Sequence, residues 1–357
     1  MIDTESLVNL PLYLTYDDVL LLPNYSQVTP SKTETSVSLS EKIKLEIPIL
    51  ASPMDTVCEK EMAIAIARVG GFGIIHRNLS IEKQVKQLSA VLKEGLSCGV
   101  AVGSGSDFKE RVMSLLRAGA REICIDSAHG HTEQVIAMIK KAKELATEID
   151  IIAGNVATYE GTRDLIEAGA KIIKVGMGPG SICTTRVMSG MGVPQLTAVV
   201  EGVRAAKEFG GKIIADGGIK TSGDMVKALA AGADAVMLGS LLAGTAESPG
   251  EVLTIGNCQY KSYRGMGSVA AMKQGSASRY GQDSEQAKKK LVPEGIEALT
   301  KYKGKVADHL YQLVGGLKAG MAYLGASNLG ELKAKAQFIR ISESALAESR
   351  PHSVLQK

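Results

Sequence analysis

The sequence predicts an α/β fold, a TIM (β/α)8 barrel with a long flap after its eighth strand. Eight short runs rich in β-branched residues alternate with longer segments of helical character. The runs are apolar and lack the alternation of a half-exposed strand, as is typical of strands buried on both faces of a parallel sheet. Eight such units within about 190 residues fit a closed barrel, and an open doubly wound sheet is the alternative.

The predicted elements follow one another in a regular rhythm. The strands are IPILA (47–51), FGIIH (72–76), GVAVG (99–103), EICID (122–126), IDIIAGN (149–155), KIIKVG (171–176), KIIADGG (212–218) and AVMLGS (235–240). Helices are predicted at 62–70, 82–95, 108–120, 133–146, 159–170, 196–211, 224–233 and 309–325. Three helices close on Ala-Gly-Ala, at 118–120, 168–170 and 231–233. We expect each of these glycines to adopt the left-handed conformation that ends a helix.

Length and pattern together predict a single domain over residues 1–357. We expect the barrel core at about 47–245, with the flap and a C-terminal segment at about 246–357. The segment 247–304 is long and turn-rich, which is typical of a lid.

Composition excludes several classes of protein. The chain carries 41 basic and 38 acidic residues spread along its length, which predicts no nucleic-acid surface. Its five cysteines form no C-x-x-C pair, which argues against a disulfide framework or a cysteine-rich zinc site and suggests a reducing cytoplasm. The N-terminal stretch lacks the features of a signal peptide, and no apolar run is long enough to span a membrane.

The segment 176–195 (GMGPGSICTTRVMSGMGVPQ) is the strongest candidate for chemistry. Its glycines and prolines require a backbone that turns repeatedly and allow close approach to a ligand. Cys183 lies among hydroxyl side chains and an arginine, a setting that could stabilise a nucleophilic thiolate. The alternative is a buried structural cysteine, but those normally occur in apolar segments, as Cys124 does.

Polar residues and glycines follow the other strands, at the end of a barrel where catalytic groups gather. Gly217-Gly218 and Gly239-Ser240, at the ends of two strands, predict a phosphate site, with tight turns as the alternative. Asp216 could accept hydrogen bonds from ribose hydroxyls, or could cap a helix. The pair of histidines at 129 and 131 has no third ligand at useful spacing, so metal catalysis is not expected.

With these residues assembled, the chain resembles an IMP dehydrogenase over nearly its whole length. The resemblance rests on five ordered motifs: GMGPGSICTTR (176–186), IIADGGIKTSGD (213–224), YRGMGS with AAMKQGS (263–276), SRYGQ (278–282) and LVPEGIE (291–297). It implies that Cys183 attacks C2 of IMP, that hydride passes to NAD+, and that the covalent intermediate is hydrolysed to XMP. It also implies that Arg279 and Tyr280 enter the vacated nicotinamide site, with Arg279 as the base that activates water. Thr185 with Glu294 resembles a second proton relay.

The same resemblance implies the binding residues. Positions that hold the ribose phosphate are matched by Ser52, Ser181, Asp216, Gly217, Gly218, Gly239, Ser240 and Tyr263, and those that hold the purine by Gly265, Met266, Gly267 and Glu294. NAD contacts are matched by Asp126, Ser127, Ala128, Asn155 and Gly176, and by Tyr323 of a neighbouring subunit. A potassium site is matched by Gly178, Gly180 and Cys183, with Glu348, Ser349 and Arg350 of the adjacent chain, which implies a homotetramer.

Two departures from the family pattern are visible. Members usually carry two CBS modules between the second helix and the third strand, where only the short segment between about 82 and 97 is present here. Ala298 and Lys301 replace a glycine and a proline after LVPEGIE. GMP reductase is the nearest alternative function, but that enzyme lacks the Arg-Tyr pair of SRYGQ. A non-catalytic nucleotide-binding barrel is the second alternative.

Overall fold

The computed structural model describes residues 9–282, 290–351 and 354, and it contains a closed barrel of eight parallel strands. The strands are β1 (Ile49–Ala51), β2 (Phe72–Ile75), β3 (Gly99–Val102), β4 (Glu122–Asp126), β5 (Asp150–Val156), β6 (Ile172–Val175), β7 (Lys212–Asp216) and β8 (Ala235–Leu238). Each pairs with its neighbours in sequence, and β8 pairs with β1, with Val236 opposite Ile49. The predicted barrel is therefore confirmed, and the open sheet is wrong.

Eight helices surround the strands. They are α1 (Lys60–Arg68), α2 (Ile81–Lys93), α3 (Phe108–Arg117), α4 (Glu133–Leu145), α5 (Tyr159–Glu167), α6 (Gln195–Phe209), α7 (Ser222–Ala230) and α8 (Val306–Tyr323). Side-chain caps hold the first turns of four of them, at Ser80, Thr132, Thr158 and Thr221, whose hydroxyls accept backbone N–H groups. Gly119, Gly169 and Gly232 have φ of 101°, 111° and 111°, so the Ala-Gly-Ala phrases do mark left-handed helix ends.

The amino-terminal end of the barrel is closed by a small hairpin, Val37–Ser38 paired with Lys44–Leu45. Leu39, Ile43 and Leu45 are buried in one apolar cluster with side chains from the barrel interior, such as Leu50 and Phe72. This hairpin fills the amino-terminal end of the barrel interior. This plug was not predicted from the sequence.

The segment after β8 is more regular than the sequence suggested. It contains an antiparallel sheet of Val252–Ile255, Cys258–Arg264 and Glu297–Lys301. Between the last two strands lie a short helix, Val269–Lys273, and a 3-10 turn, Ser276–Tyr280. Residues 283–289 of the predicted flap lie outside the described part of the chain.

Both ends of the described chain pack on the barrel. A C-terminal strand, Phe338–Arg340, pairs antiparallel with Val19–Leu21 near the start of the chain. The helix Leu329–Lys335 packs against α7, and α8 packs against α7 and α1. Among the residues described, no helix combines the length and the hydropathy needed to cross a bilayer.

Candidate active site

A cleft of about 990 Å³, partly open to solvent, lies at the carboxyl ends of the strands. The predicted residues that line it are Ser52, Asp126, Ala128, Asn155, Gly176, Gly178, Gly180, Ser181, Cys183, Thr185, Asp216, Gly217, Gly218, Gly239, Ser240, Tyr263, Gly265, Met266, Gly267, Arg279, Tyr280 and Glu294. Loops from opposite sides of the barrel and from the segment after β8 thus meet in one place.

A few predicted residues lie outside this lining. The amide of Ser127 donates to the carbonyl of Gly154, directly behind the cleft wall. Tyr323 is 70% exposed at the end of α8. Glu348, Ser349 and Arg350 are exposed at and beyond the helix Glu343–Glu348. Tyr323 and these three residues are the ones that the resemblance assigns to contacts with a neighbouring subunit.

Cys183 begins a hydrogen-bonded relay of three side chains. Its half-exposed thiol donates to the hydroxyl of Thr185, with 3.2 Å between Sγ and Oγ1. Thr185 in turn donates to the carboxylate of Glu294, with 2.8 Å between Oγ1 and Oε2. Thr185 opens the short helix Thr185–Ser189 and is only 7% exposed, so its rotamer is held by packing. The relay offers a continuous path for a proton from sulfur to carboxylate.

Backbone pairing fixes the cysteine loop against the segment after β8. Cys183 and Gly295 form an isolated antiparallel bridge. The amide of Thr184 donates to the carbonyl of Glu294 and that of Ile296 to the carbonyl of Ile182, both at 3.0 Å. Space beside Gly295 is tight, because an added Cβ would lie 3.3 Å from both the Ile182 carbonyl oxygen and the Gly267 backbone, which would have to shift by a few tenths of an ångström. The bridge brings the side chain of Glu294 to Thr185.

Backbone amides of two glycine turns face the cleft. Gly217 and Gly218 have φ of 100° and 76°, which only glycine adopts without strain. Within the described chain, the amides of Gly217, Gly218 and Ser240 donate to no backbone carbonyl. Free amides at the ends of β7 and β8 are suited to bind an anion.

The phenol of Tyr263 completes this side of the cleft. Tyr263 is 6% exposed, and its hydroxyl lies against Gly239 and hydrogen-bonds Ser181. Burial, opposed by the Ser181 hydrogen bond, raises the pKa of Tyr263 to about 12, so it remains a hydroxyl donor at neutral pH.

A buried cation, Lys174 on β6, organises the charges at the floor of the cleft. Its ammonium lies 2.5 Å from Asp126 Oδ1 and 3.9 Å from Asp216 Oδ2, and its side chain is 1% exposed. The amide of Asn155 donates to Asp216 Oδ2 at 2.8 Å. A buried carboxylate needs such partners, because desolvation otherwise disfavours its charge. Lys174 was not predicted from the sequence, because it lies within a run of apolar residues that predicts only a buried strand.

Arg279 and Tyr280 are docked inside the cleft. Arg279 Nη1 contacts Asp126 Oδ2, and the carbonyl of Arg279 accepts the amide of Ala128 at 3.3 Å. Tyr280 is partly buried, and its hydroxyl hydrogen-bonds Arg279. Burial raises the pKa of Tyr280, while the neighbouring Arg279 opposes the rise. The pair therefore occupies the part of the cleft next to Asp126.

A second unpredicted residue, Arg77 after β2, lies behind this pair. Its Nη1 donates to the hydroxyl of Ser278 at 3.0 Å, one residue before Arg279. Its Nε and Nη2 are buried with no hydrogen-bond partner in the described chain. Burial, reinforced by the charge of Arg279, lowers the pKa of Arg77 to about 10. Arg77 is charged at neutral pH and anchors the turn that carries Arg279.

Carbonyl groups, rather than side chains, are available for a cation near Cys183. Within the described residues, the carbonyls of Gly178 and Cys183 accept no hydrogen bond, and that of Gly180 accepts only the Cys183 amide. Free carbonyls in a tight loop suit a large, weakly hydrated cation. Across all the residues that the structure describes, no group of three His, Cys, Asp or Glu side chains could ligate a metal.

Comparisons with known proteins agree with this arrangement. A family model described as "IMP dehydrogenase / GMP reductase domain" matches residues 13–352. The chain is 46% identical over 391 residues to the inosine-5'-monophosphate dehydrogenase of Borreliella burgdorferi, covering 96% of this chain and 97% of that protein. Proteins of the same name from Cryptosporidium parvum and Aquifex aeolicus are 45% identical over 384 residues and 41% over 470, each covering 96% of this chain and 95% of the relative. All three alignments are longer than this chain of 357 residues, so each of these relatives contains residues with no counterpart here.

The five cysteines should differ sharply in reactivity. Cys58, Cys98 and Cys124 are buried, Cys183 is half-exposed and Cys258 is exposed. Burial raises the pKa of all three buried thiols, that of Cys98 to about 12. Since the thiolate reacts, a brief pulse of iodoacetamide at pH 8 should label Cys183 and Cys258 and spare the other three.

Peptide mass spectrometry reads this result, and the protein unfolded in guanidinium is the control, in which all five thiols should react. Native labelling of Cys98 as fast as Cys258 would contradict the burial described above.

Proposed function

The chain belongs to the IMP dehydrogenase / GMP reductase family, and we propose that it oxidises IMP to XMP with NAD+, in guanine nucleotide biosynthesis, through a covalent nucleotide adduct on Cys183. One observation carries the proposal. The Cys183–Thr185–Glu294 relay and the Arg279–Tyr280 pair lie in the same cleft, so a nucleophile and two means of handling protons are available there.

The substrate phosphate is assigned to the end of the cleft formed by β7 and β8. There the free amides of Gly217, Gly218 and Ser240 converge with Ser52, Ser181 and the hydroxyl of Tyr263. Asp216 is assigned to the ribose hydroxyls, because its carboxylate lies at the base of that turn and is held by Asn155. The purine then lies over Cys183, against Gly265, Met266, Gly267 and Glu294.

The first half-reaction forms one bond and transfers one hydride. Cys183 sulfur bonds to C2 of the purine, and its proton leaves along Thr185 toward Glu294. The hydrogen at C2 then departs with its electron pair to NAD+, which is the hydride acceptor. The product of this step is a purine joined to sulfur with a C=N bond restored.

The second half-reaction is hydrolysis at the same carbon. A water molecule must lose a proton as its oxygen bonds to C2. The bond between C2 and the Cys183 sulfur then breaks, which releases XMP and frees the cysteine. We assign the proton to Arg279, oriented by Tyr280, with Thr185 and Glu294 as the second route. A guanidinium is a very weak acid, which makes arginine an unusual base.

Asp126 is assigned a partner in each half-reaction, NAD+ in the first and Arg279 in the second. Its Oδ1 is held by Lys174, and its Oδ2 contacts Arg279. We assign Asp126, with Asn155, Gly176, Ser127 and Ala128, to NAD+. Asn155 Oδ1 is buried with no partner in the described chain, which leaves an acceptor for a ligand donor. If NAD+ and Arg279 bind Asp126 at the same position, Arg279 enters only after the reduced dinucleotide has left.

The resemblance supports four further proposals about this chain. The carbonyls of Gly178, Gly180 and Cys183 bind K+, together with Glu348, Ser349 and Arg350 of an adjacent chain in a homotetramer. Tyr323 contributes to the dinucleotide site of a neighbouring subunit. The chain is cytoplasmic. It is a single catalytic domain, with barrel at about 47–245 and flap and C-terminal segment at about 246–357, in which α2 leads directly to β3 without CBS modules.

GMP reductase is the second candidate, because the family includes both activities. Reduction of GMP releases ammonia and needs no hydrolysis of an adduct at C2, so it gives no role to Arg279 and Tyr280. Both residues are docked in the cleft here, and the relatives reported above are named as dehydrogenases. These facts favour the dehydrogenase. NADPH consumption with GMP, in the absence of NADH formation with IMP, would favour the reductase.

The assay that tests the proposal mixes the protein with IMP, NAD+ and KCl and follows NADH by absorbance and XMP by chromatography. Cys183→Ala should abolish NADH formation while leaving IMP affinity within about tenfold, because phosphate and ribose contacts supply most of the ground-state binding. The matched control is Cys258→Ala, an exposed cysteine outside the cleft, which should retain full activity. Appreciable turnover by Cys183→Ala would overturn the assignment of the nucleophile.

Arg279→Ala should separate the half-reactions. Hydride transfer does not need Arg279, so a burst of up to about one NADH per active site should precede a steady state slowed by roughly 10²–10⁴-fold. Tyr280→Phe should show a milder loss because the guanidinium remains. Arg204→Ala, an exposed arginine on α6, is the control. Stopped-flow absorbance measures both phases, and an equal loss of burst and steady state would refute the water-activating role of Arg279.

Potassium should raise the rate above that in sodium or lithium at equal ionic strength. Loop carbonyls match a large cation that loses its water readily, whereas Li+ holds its water too strongly. Steady-state rates in the three chlorides provide the measurement. Equal rates in all three salts would remove the cation site from the account.

A further inference from the structure

Two lysines of the segment after β8, Lys261 within its sheet and Lys303 just beyond it, bind six of the backbone carbonyls between residues 240 and 248. Lys303 Nζ donates to the carbonyls of Ser240 at 2.5 Å, Ala243 at 2.7 Å and Leu241 at 3.1 Å. Lys261 Nζ donates to those of Thr245, Ala246 and Ser248. No ion pair to either lysine occurs in the described ranges, so the carbonyls are the partners of both charges.

Lys303 binds the turn that follows β8, whose first amides belong to the proposed phosphate site. The amides of Leu242 and Ala243 both donate to the carbonyl of Gly239, so residues 239–243 form one helical turn. At the other end of this turn, the amides of Ser240 and Leu241 donate to no backbone carbonyl of the described chain. An ammonium at the carbonyl end offsets the negative pole of the turn and orients the positive pole toward an anion.

Lys303 also connects this turn to the segment that carries the relay. It follows the strand Glu297–Lys301, which begins just after the Glu294–Ile296 pairing with the cysteine loop. Its own amide donates to the carbonyl of Gly244 at 2.9 Å, and the amide of Ala246 donates to the carbonyl of Gly304 at 2.7 Å. The lysine is therefore clamped to the turn by main chain as well as side chain.

We propose that Lys303 is a positioning residue for the substrate phosphate, holding the Gly239–Ala243 turn so that its free amides face the anion. This inference rests on the proposed function, since it requires a phosphorylated substrate at that turn. Lys303 touches neither the substrate nor the reacting atoms. Its contribution is to the binding of the phosphate in the ground state, which raises affinity without altering the chemical step.

The charge on Lys303 gives the proposal a pH dependence. Burial lowers the pKa of Lys303 to about 8. The facing titratable group is His309 on α8, whose own pKa burial and Lys303 lower, so it is neutral in this range. Below pH 8 the ammonium has three N–H groups for three carbonyls; above it the neutral amine has only two. The KM for IMP should therefore rise as the pH passes through 8.

The test compares IMP with inosine, which lacks the phosphate. In a Cys183→Ala background, which prevents turnover, Lys303→Met should weaken IMP binding by about tenfold or more and inosine binding by less than about twofold, measured by calorimetry. Lys301→Met, an exposed lysine two positions earlier, is the matched control and should change neither. Equal weakening of IMP and inosine, or unchanged IMP binding, would overturn the proposal.

Lys303→Arg provides a second, independent readout. A guanidinium keeps its charge above pH 8. The rise in KM for IMP near pH 8 should therefore disappear in Lys303→Arg, while kcat follows the unsubstituted protein. Persistence of the same rise in Lys303→Arg would overturn the proposal even if Lys303→Met does not fold. If the protein with Lys303 intact binds IMP no better than inosine, the proposed function itself fails. That outcome can be told apart from a failure of the Lys303 proposal, in which IMP still binds better than inosine.

Discussion

The short antiparallel bridge between Cys183 and Gly295 is the constraint on which the site depends. The cysteine belongs to the loop after β6, whereas Glu294 belongs to a segment more than a hundred residues later in the chain. Two backbone hydrogen bonds join these distant segments and bring Glu294 within 2.8 Å of Thr185. Without that pairing the thiol would lie in a glycine-rich loop with no fixed partner. Reactivity here is therefore a property of two loops held together, and not of one motif.

A second constraint is the scarcity of cationic partners for the carboxylates on the floor of the cleft. Asp126 and Asp216 share one buried cation, Lys174, and Asp126 uses its remaining oxygen for Arg279. Every partner that leaves Asp126 must be replaced, because an unpaired buried carboxylate is costly. The same carboxylate can thus accept a ligand hydroxyl and a guanidinium in turn. Arg77 reinforces this, since its contact with Ser278 ties the Arg279 turn to the loop after β2.

Local patterning was sufficient to predict the barrel. All eight strands occur within two residues of their predicted bounds, because apolar runs separated by helices leave little choice of arrangement. The glycine turns and Cys183 were also recognisable, since their chemistry is local. By contrast, Leu39, Ile43 and Leu45 lie in a largely polar stretch and are identified as a plug only by their contacts across the barrel. Lys261 and Lys303 read as surface lysines, because the carbonyls that bury them lie elsewhere in the chain.

The most direct test of the covalent mechanism is the mass of the protein during its first turnover. The reaction with IMP and NAD+ is quenched in acid within that turnover, and peptides are mapped by mass spectrometry. A purine nucleotide should appear on the peptide that contains Cys183, only when both IMP and NAD+ are present, in an amount that follows the NADH formed. NADH formation with no adduct at Cys183, or with an adduct on another residue, would contradict the account.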